Sequence, residues 1–353
     1  MSRTVLPVVL MVFVGACQIP IGGCYPQALF ERTTELQHAL EPGSTLVVST
    51  ASGSIHVAGQ ETDQCHAIAT IRARAATEEE AQALAEQVTV RLEPSAEGLE
   101  IKADRPEHLR NKSVSISYEV TVPHHTSVRC SSASGSLDLR DLTAAVSARA
   151  ASGSVKAAHI TGPVDLHSAS GSIRAEAIDS GDAQLKSASG SVRLLQGSNL
   201  GTCRLHTASG SVTAEDVEAD SITLHTASGS VRLADGNAGA VDLHTGSGSL
   251  RAEDLDCSTL KAESPSGSIA IAFAPAAGSD LQADISASSG RVRLDLPTDF
   301  AGQVDLSASS GSVQIDRPVT IQGKISKRHV RGSVGQGAGR LSVHTSSGSI
   351  RVR

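Results

Sequence analysis

Aromatic residues are scarce in this chain. Phe and Tyr together make up 2% of its 353 residues, and Trp is absent. Sugar clefts and single-strand nucleic-acid platforms usually stack their ligands on aromatic rings, so this scarcity counts against both classes. An excess of positive charge is missing too, because the net charge is -7. A general nucleic-acid binder would need the opposite sign, and we expect no nucleic-acid partner.

Catalytic motifs are also missing. The glycine-rich stretch 335–339 lacks the Lys-Ser/Thr pair of a phosphate loop, and no Gly-x-Ser-x-Gly elbow occurs. Glycoside chemistry needs a carboxylate pair that stands out among the coils. The acidic residues instead recur at one repeat position, as Asp165, Asp242, Asp284 and Asp305 do. We therefore predict a protein that is not an enzyme and carries no cofactor.

Long apolar runs are limited to the N-terminus. Arg3 precedes an apolar run over 5–14, which is too short to span a bilayer and is typical of a signal peptide. Val14-Gly15-Ala16-Cys17 resembles the bacterial lipobox, in which the cysteine becomes the lipid-modified first residue. We predict a signal peptide over 1–16, lipidation at Cys17 and an exported lipoprotein anchored to a membrane of the cell envelope. Secretion after ordinary cleavage behind Ala16 and anchoring through Cys24 are the alternatives.

Residues 17–44 follow the predicted cleavage site and contain three prolines. We interpret them as a tether between membrane and domain. A helical turn or two is expected over 31–40.

Six cysteines are present. Export would place them in an oxidising compartment. Cys203 and Cys257 lie three repeats apart, roughly 14 Å at a strand spacing of ~4.8 Å, whereas a disulfide needs Cα atoms within about 7 Å. Both are therefore predicted to be small core residues. Pairing between Cys65 and Cys130 stays open, and no cysteine has the spacing of a metal site.

What the chain has in abundance is the tripeptide Ser-Gly-Ser. Its twelve copies place the central glycine at Gly53, Gly135, Gly153, Gly171, Gly190, Gly210, Gly229, Gly248, Gly267, Gly290, Gly311 and Gly348, with Arg291 replacing the second serine once. From Gly135 to Gly311 the steps are 18 to 23 residues, and a fixed period of this kind indicates stacked repeats.

Apolar and polar residues alternate on both sides of each glycine, as in Val241, Leu243 and Thr245 before Gly248. Period two is typical of strands. We predict an all-β fold over residues 131–353: a parallel β-solenoid of about twelve ~19-residue coils, each with two short strands. Residues 45–130 are predicted to form a β-rich N-terminal cap that holds the first repeat and one helix over 77–87, with Thr77 and Glu80 as its capping box.

The Ser-Gly-Ser-[Ile/Val]-Arg repeat, the cap and the ending over 339–350 resemble the bacterial putative-adhesin domain family. The resemblance covers residues 45–353. It implies a β-solenoid module of unknown function and brings no catalytic residues. Many members carry Gly-Asp where this chain carries Gly-Ser, so a possible acidic ladder is absent here.

A row of cations follows the glycines. The residues three positions after the glycine are predicted to point outward: Lys156, Arg174, Arg193, Arg232, Arg251, Arg293 and Arg351. Acids follow two positions later on the same face, as Glu176, Glu215, Glu253, Asp295 and Asp316. A salt-bridged sheet surface is the plainer interpretation, and a strip that binds a repeating polyanion of the envelope is the sharper one.

Histidines recur four positions before the glycine, as His167, His206, His225, His244 and His344. His206, His225 and His244 occupy consecutive coils, so their rings should stack ~4.8 Å apart along the sheet. They are weak candidates for a Zn²⁺ or Cu²⁺ site, although simple duplication of a surface residue explains them more readily. Either way, adjacent imidazoliums should lower one another's pKa.

These features predict a non-catalytic, adhesin-like protein of the envelope or cell surface. It would present a rigid solenoid face to an envelope polymer or a surface protein. The alternative is an envelope-stress or assembly protein that associates end to end with other copies. The open C-terminal coil, which finishes on the strand 350–353, motivates that alternative.

Overall fold

The computed structural model describes residues 8–10, 28–41, 43–106, 111–275, 280–321 and 326–353. The elements, in chain order, are β1 (Val8–Leu10), β2 (Ala28–Ala39), β3 (Thr45–Ser52), β4 (Ile55–Gln60), β5 (Gln64–Ala75), α1 (Glu78–Glu86), β6 (Thr89–Ser95), β7 (Gly98–Asp104), β8 (Ser113–Pro123), β9 (Ser127–Ser134), β10 (Leu137–Leu142), β11 (Val146–Ser152), β12 (Val155–Thr161), β13 (Val164–Ser168), β14 (Ile173–Ser187), β15 (Val192–Ser209), β16 (Val212–Ser228), β17 (Val231–Ser247), β18 (Leu250–Ser266), β19 (Ile269–Phe273), β20 (Gln282–Ser289), β21 (Val292–Asp295), β22 (Gly302–Ser310), β23 (Val313–Ile315), β24 (Thr320–Ile321), β25 (His329–Val334), β26 (Gly339–Ser347) and β27 (Ile350–Val352). The chain forms two compact units, residues 1–171 and 172–353.

The first unit stacks short parallel strands in two rows. One row runs β3, β9, β11, β13, and the other runs β8, β4, β10, β12. An antiparallel layer continues from the second row, because β5 pairs with β8 and β2 pairs with β5. β7 pairs with the first half of β3, and β6 pairs with β7. The β-rich character predicted for the cap is confirmed.

The predicted helix is also present. α1 covers Glu78–Glu86, and the Thr77 hydroxyl caps it by accepting a hydrogen bond of 3.2 Å from the Glu80 backbone N–H. Ala81, Leu84 and Ala85 are buried on the face that packs against β2 and β5. This is the helix that the capping box and the Ala/Leu pattern predict.

The tether predicted for 17–44 is wrong over its second half. Residues 28–39 form β2, which pairs antiparallel with the whole of β5, so the helical turn expected over 31–40 is wrong as well. Phe30 and Thr34 are buried on this strand. β5 would otherwise expose an unpaired row of backbone groups, and an edge of this kind favours an added strand. Cys17, Cys24 and most of the predicted signal peptide lie outside the described residues; within it, Val8–Leu10 forms β1 and pairs with β2.

The coils of the second unit follow the predicted alternation. Val241, Leu243 and Thr245 of β17 are buried, as are Val231 and Leu233 on the other side of its bend. These residues and their counterparts in β14–β18 form the core. The core is narrow because alternating Val, Leu, Ile, Ala and Thr side chains fill it.

The prediction of two short strands per coil needs one correction here. Strands β14–β18 are single strands of 15 to 18 residues. Coils of two short strands do occur in the first unit and at the end of the second, as β20–β21, β22–β23 and β26–β27. Each long strand bends at a residue with a φ of 49° to 57°; these residues are Ala177, Gln196, Asp216, Asp235 and Asp254. β14 and β15 each contain a second residue with positive φ, Ser180 and Asn199. Asp tolerates this left-handed conformation at three of the bends, and the parallel ladder of β16 and β17 continues beyond the bend.

The Ser-Gly-Ser corners stack directly on one another. The Gly229 N–H donates to the Ser247 carbonyl at 3.1 Å, and the Val231 N–H donates to the Ser249 carbonyl at 3.0 Å. A Cβ atom on Gly229 would lie 2.1 Å from the Gly210 carbonyl oxygen. Close approach between successive corners is therefore what requires glycine there.

Buried hydroxyls form hydrogen bonds to five of the corner glycines from inside the core. The residue three positions before a corner glycine donates to the carbonyl of the preceding corner glycine at 2.7 to 3.0 Å. The pairs are Ser168 with Gly153, Thr207 with Gly190, Thr226 with Gly210, Thr245 with Gly229, and Ser264 with Gly248. Inward Thr or Ser is thus the hydrogen-bond partner of the corner, which explains a polar residue in the core.

The end of the second unit does not follow chain order. β26 lies between β20 and β22, and β27 lies between β21 and β23. The predicted open C-terminal coil is therefore wrong, because both edges of the final strand are already paired. Residues 331–334 read Arg-Gly-Ser-Val, a degenerate copy of the corner tripeptide, but they do not form a corner of the stack. They belong to β25, which pairs antiparallel with β22 and carries β24 on its other edge.

The described cysteines are all free and buried: Cys65, Cys130, Cys203 and Cys257. Cys65 and Cys130, for which a disulfide was left open, do not pair. Burial raises the pKa of each of these thiols to about 12, so none forms a reactive thiolate near neutral pH. Within the described ranges, no helix is long and apolar enough to cross a membrane.

Candidate interaction surfaces

The arginine row of the second unit comprises Arg174, Arg193, Arg232, Arg251, Arg293 and Arg351. Register brings its members together in pairs: Arg174 beside Arg193, Arg232 beside Arg251, and Arg293 beside Arg351. Thr213 and Ala270 interrupt the row between these pairs. Lys156, the remaining predicted member, lies in the first unit beside Asp138.

Carboxylates pair with four of these arginines. Arg174 contacts Glu176 at 2.9 Å, Arg232 and Arg251 share Glu253, and Arg351 contacts Asp316 at 3.0 Å. The side chains in these pairs are between 32% and 61% exposed, so each pair contributes at most about 1 kcal/mol. Hydrogen bonds from Arg351 and Gln314 lower the pKa of Asp316.

Two arginines of the row differ from the others. Arg193 and Arg293 are exposed and form no ion pair within the described part of the chain. Arg193 is followed two positions later by Leu195, where other coils carry an acid. The row therefore combines a salt-bridged surface with two uncompensated guanidinium groups.

The histidine row lies on the strands that precede the corners. His206 pairs in register with His225, and His225 pairs with His244. Their ring centroids are 6.4 Å and 5.2 Å apart, and the rings are tilted by 59° and 60°. The three imidazoles are thus neighbours as expected, but they are inclined to one another and do not stack face to face.

Two carboxylates lie beside these histidines, and the sequence analysis did not predict either contact. Asp242 Oδ1 lies 3.6 Å from His225 Nε2, and Glu263 Oε2 lies 3.6 Å from His244 Nδ1. The sequence contains the information needed to predict both contacts. Asp242 and His244 are two positions apart on one strand and therefore share a face, and Glu263 occupies the histidine position of the next coil. Even so, no group of three or more His, Cys, Asp or Glu residues in the described ranges is placed to hold a metal ion.

The other two predicted histidines lie apart from the row of three. His344 Nδ1 is 3.0 Å from the Ser307 hydroxyl at the far end of the second unit. His167 Nε2 is 2.7 Å from Asp165 Oδ1 in the first unit.

His206 gives the row a predictable pH dependence. Burial lowers its pKa below the ordinary value, and the nearby His225 and Lys186 lower it further. The unfolded chain therefore binds a proton at this site more readily than the folded chain does, and stability falls as pH drops through about 6.5 toward the lower folded pKa. We expect His206→Gln to reduce this loss, measured as urea midpoints from about pH 7.5 to about pH 5. An identical pH slope in parent and variant would contradict the assignment.

The fold combines stacked Ser-Gly-Ser corners with an N-terminal β-rich cap. A known protein family matches the sequence of both parts. The Toastrack DUF4097 model matches residues 42–197 and again 180–353. This chain belongs to the Toastrack DUF4097 family. The two matches together span the predicted cap and the coils.

Solved structures also align with this Toastrack chain. A "putative cell adhesion protein" from Clostridium sporogenes aligns over 91% of this chain and 98% of its own, with 11% identity and a TM-score of 0.20. "Putative adhesins" from Bacteroides fragilis and Parabacteroides distasonis cover 92% and 90% of this chain and 97% and 96% of their own, with 10% identity and TM-scores of 0.26 and 0.27. With TM-scores this low, these structures carry no argument about the fold, and the assignment to the family depends on the family match alone. No curated protein matches the sequence.

Proposed function

We propose that this Toastrack DUF4097 chain is a non-catalytic, adhesin-like interaction protein of the bacterial cell envelope. The observation that carries the proposal is the in-register parallel stacking of β14–β18, which repeats the same exposed position on every strand. Neighbouring strands are ~4.8 Å apart, so the surface offers a ligand arginine side chains at a short interval, with Thr213 as an interruption on β16. A polymer with regularly spaced groups suits such a surface.

The partner that we infer is a polyanion of the envelope, bound along the arginine row. Arg193 and Arg293 supply guanidinium groups without carboxylate partners. The other arginines of the row form weak ion pairs, so a polyanion can compete with their carboxylate partners. Each contact is individually weak because salt bridges at this exposure are screened. Affinity would come from several contacts made by one polymer, and it should fall steeply as salt concentration rises.

A binding experiment with defined polymers tests this proposal. The full chain is passed over immobilised polygalacturonate and polyphosphate, with neutral dextran as the polymer control. We expect retention on the anionic polymers, release by salt, and a clear loss of retention in the Arg193→Gln/Arg293→Gln double variant. Arg72→Gln, an exposed arginine of the first unit that pairs with Glu31, is the matched control and should bind like the parent. Equal retention of the double variant and the parent would reject the row as the binding surface.

Membrane anchoring through Cys17 belongs to the same proposal. The Val14–Cys17 motif motivates it, since lipidation would hold the domain at the envelope where its partner lies. We expect Cys17→Ala to leave the precursor unprocessed or to release the protein from the membrane fraction, while Cys24→Ala behaves like the parent. Mature mass and membrane fractionation are the measurements. If Cys17→Ala changes neither, secretion or anchoring through Cys24 replaces this assignment.

A further inference from the structure

A pocket of about 840 Å³ opens in the first unit. Equivalent positions near the ends of β3, β9, β11 and β13 line one wall, and residues of β7 and β8 and Arg105 line the other. This volume is within the range of roughly 300–1,000 Å³ that is typical of ligand pockets. The volume alone does not identify the class of ligand, but the chemistry of the lining residues does.

The charged side chains that line the pocket are all basic. They are Arg105 and Arg149, the imidazole of His167 also lies in the lining, and no carboxylate is among the lining residues. Such a lining is unusual for a chain whose net charge is -7. The pocket therefore favours an anionic ligand.

One carboxylate outside the lining, Asp165, offsets part of this charge. Asp165 Oδ1 lies 2.7 Å from His167 Nε2, and its Oδ2 lies 3.8 Å from an Arg149 nitrogen. The Arg149 side chain remains 70% exposed, so that contact is weak. Arg105 forms no ion pair with any other described residue. Within the described part of the chain, at least one guanidinium group at the pocket thus has no carboxylate partner.

Two buried hydroxyls in the pocket walls also lack partners. The Tyr118 and Ser132 hydroxyls are buried and make no hydrogen bond within the described chain. Leaving a buried hydroxyl unpaired costs about 1–3 kcal/mol. Ser132 occupies the position at which Ser168 donates to a corner carbonyl, yet it makes no such bond. Guanidinium groups supply only donors, so the pocket presents a surplus of donors with few acceptors to meet them.

We propose that this pocket binds a phosphate- or carboxylate-bearing ligand, with Arg105 and Arg149 in contact with the oxyanion. Guanidinium groups suit oxyanions because they donate two parallel hydrogen bonds. Tyr118 is fully buried, and the other ring in the lining is the imidazole of His167, so recognition is directed at the charged group. The pocket lies in the first unit and the arginine row in the second, so this site does not depend on the function proposed above.

Tyr118 provides a direct probe. The chain has two tyrosines and no tryptophan, so Tyr25→Phe leaves Tyr118 as the sole fluorophore of this class. We would titrate the full Tyr25→Phe chain with inorganic phosphate and, separately, with glucuronate, at constant ionic strength, and follow tyrosine fluorescence and heat. Saturable binding of at least one ligand is expected, and comparing the two shows whether phosphate or carboxylate is preferred.

Variants then assign the binding to the pocket. Arg105→Gln and Arg149→Gln should each raise the Kd about tenfold or more, because a hydrogen bond to a charged group contributes about 1.5–3 kcal/mol. Both arginines are exposed, so the variants should fold, and circular dichroism checks this. Arg72→Gln and the Arg193→Gln/Arg293→Gln variant should bind like the parent. The absence of saturable binding for both ligands, or an unchanged Kd in both pocket variants, would overturn the proposal.

Discussion

Replacing Gly229 with alanine is expected to destabilise the second unit by about 2–4 kcal/mol. The added Cβ would lie 2.1 Å from the Gly210 carbonyl oxygen and 2.7 Å from its carbonyl carbon. These are backbone atoms, so no side chain can rotate away to make room. The φ of Gly229 is 154°, a conformation that side chains disfavour, and it adds strain to the steric clash. Valine should cost more than alanine, because its branched side chain adds further atoms to the same gap.

Gly239→Ala is the matched control, because it places the same methyl group on the same strand, β17. Its Cβ would meet one backbone atom, the Asp220 carbonyl oxygen, at 3.2 Å, so a small shift relieves the contact. Urea-induced unfolding of parent and variants gives the free energies of unfolding. We expect Gly239→Ala to cost well below half as much as Gly229→Ala. Equal costs would mean that the corner stacking does not restrict residue 229.

The arginine and histidine rows and the Ser-Gly-Ser corners were predictable because they depend on the spacing of residues along the chain. Period two fixes which side of a strand each residue faces, so the buried set Val241, Leu243 and Thr245 followed directly from the sequence. α1 was equally accessible, since Thr77 and Glu80 lie three positions apart and act within one turn. The outward direction of the arginines and histidines followed from the same parity.

The failures all involve pairing between distant segments. Nothing within 28–39 shows that β5 offers it a free edge, so the prolines around this segment suggested a tether. Likewise, the coil 339–352 carries a complete repeat, and its sequence alone fits equally well at the end of the stack or inside it. The pocket combines residues from 49 to 169, and no motif of its own unites them. Its only sequence signal was the arginine at 149, where other coils carry histidine, serine, lysine or glutamate.

The last coil lies inside the stack, so deleting residues 339–353 should also destabilise the coils on either side of it. Leu341, Val343, Ile350 and Val352 are at most 1% exposed, and burying each such side chain contributes roughly 1.5–3 kcal/mol. The deletion also removes hydrogen-bond acceptors from the preceding coil. The Gly290, Val292 and Leu296 N–H groups donate to the carbonyls of Ser347, Ser349 and Arg353 at 2.9 to 3.1 Å.

Hydrogen exchange of these amides is the decisive measurement. In the deleted chain we expect Gly290, Val292 and Leu296 to lose their protection, because β22 and β23 can no longer be held against β20 and β21 through β26 and β27. The Gly229 amide, which donates to Ser247, should remain protected and serves as the internal reference. Arg340→Gln, an exposed change on β26, should leave every one of these amides as in the parent. If the three amides stay protected after the deletion, residues 339–353 form a dispensable terminal coil, and the inserted position of β26 and β27 is wrong.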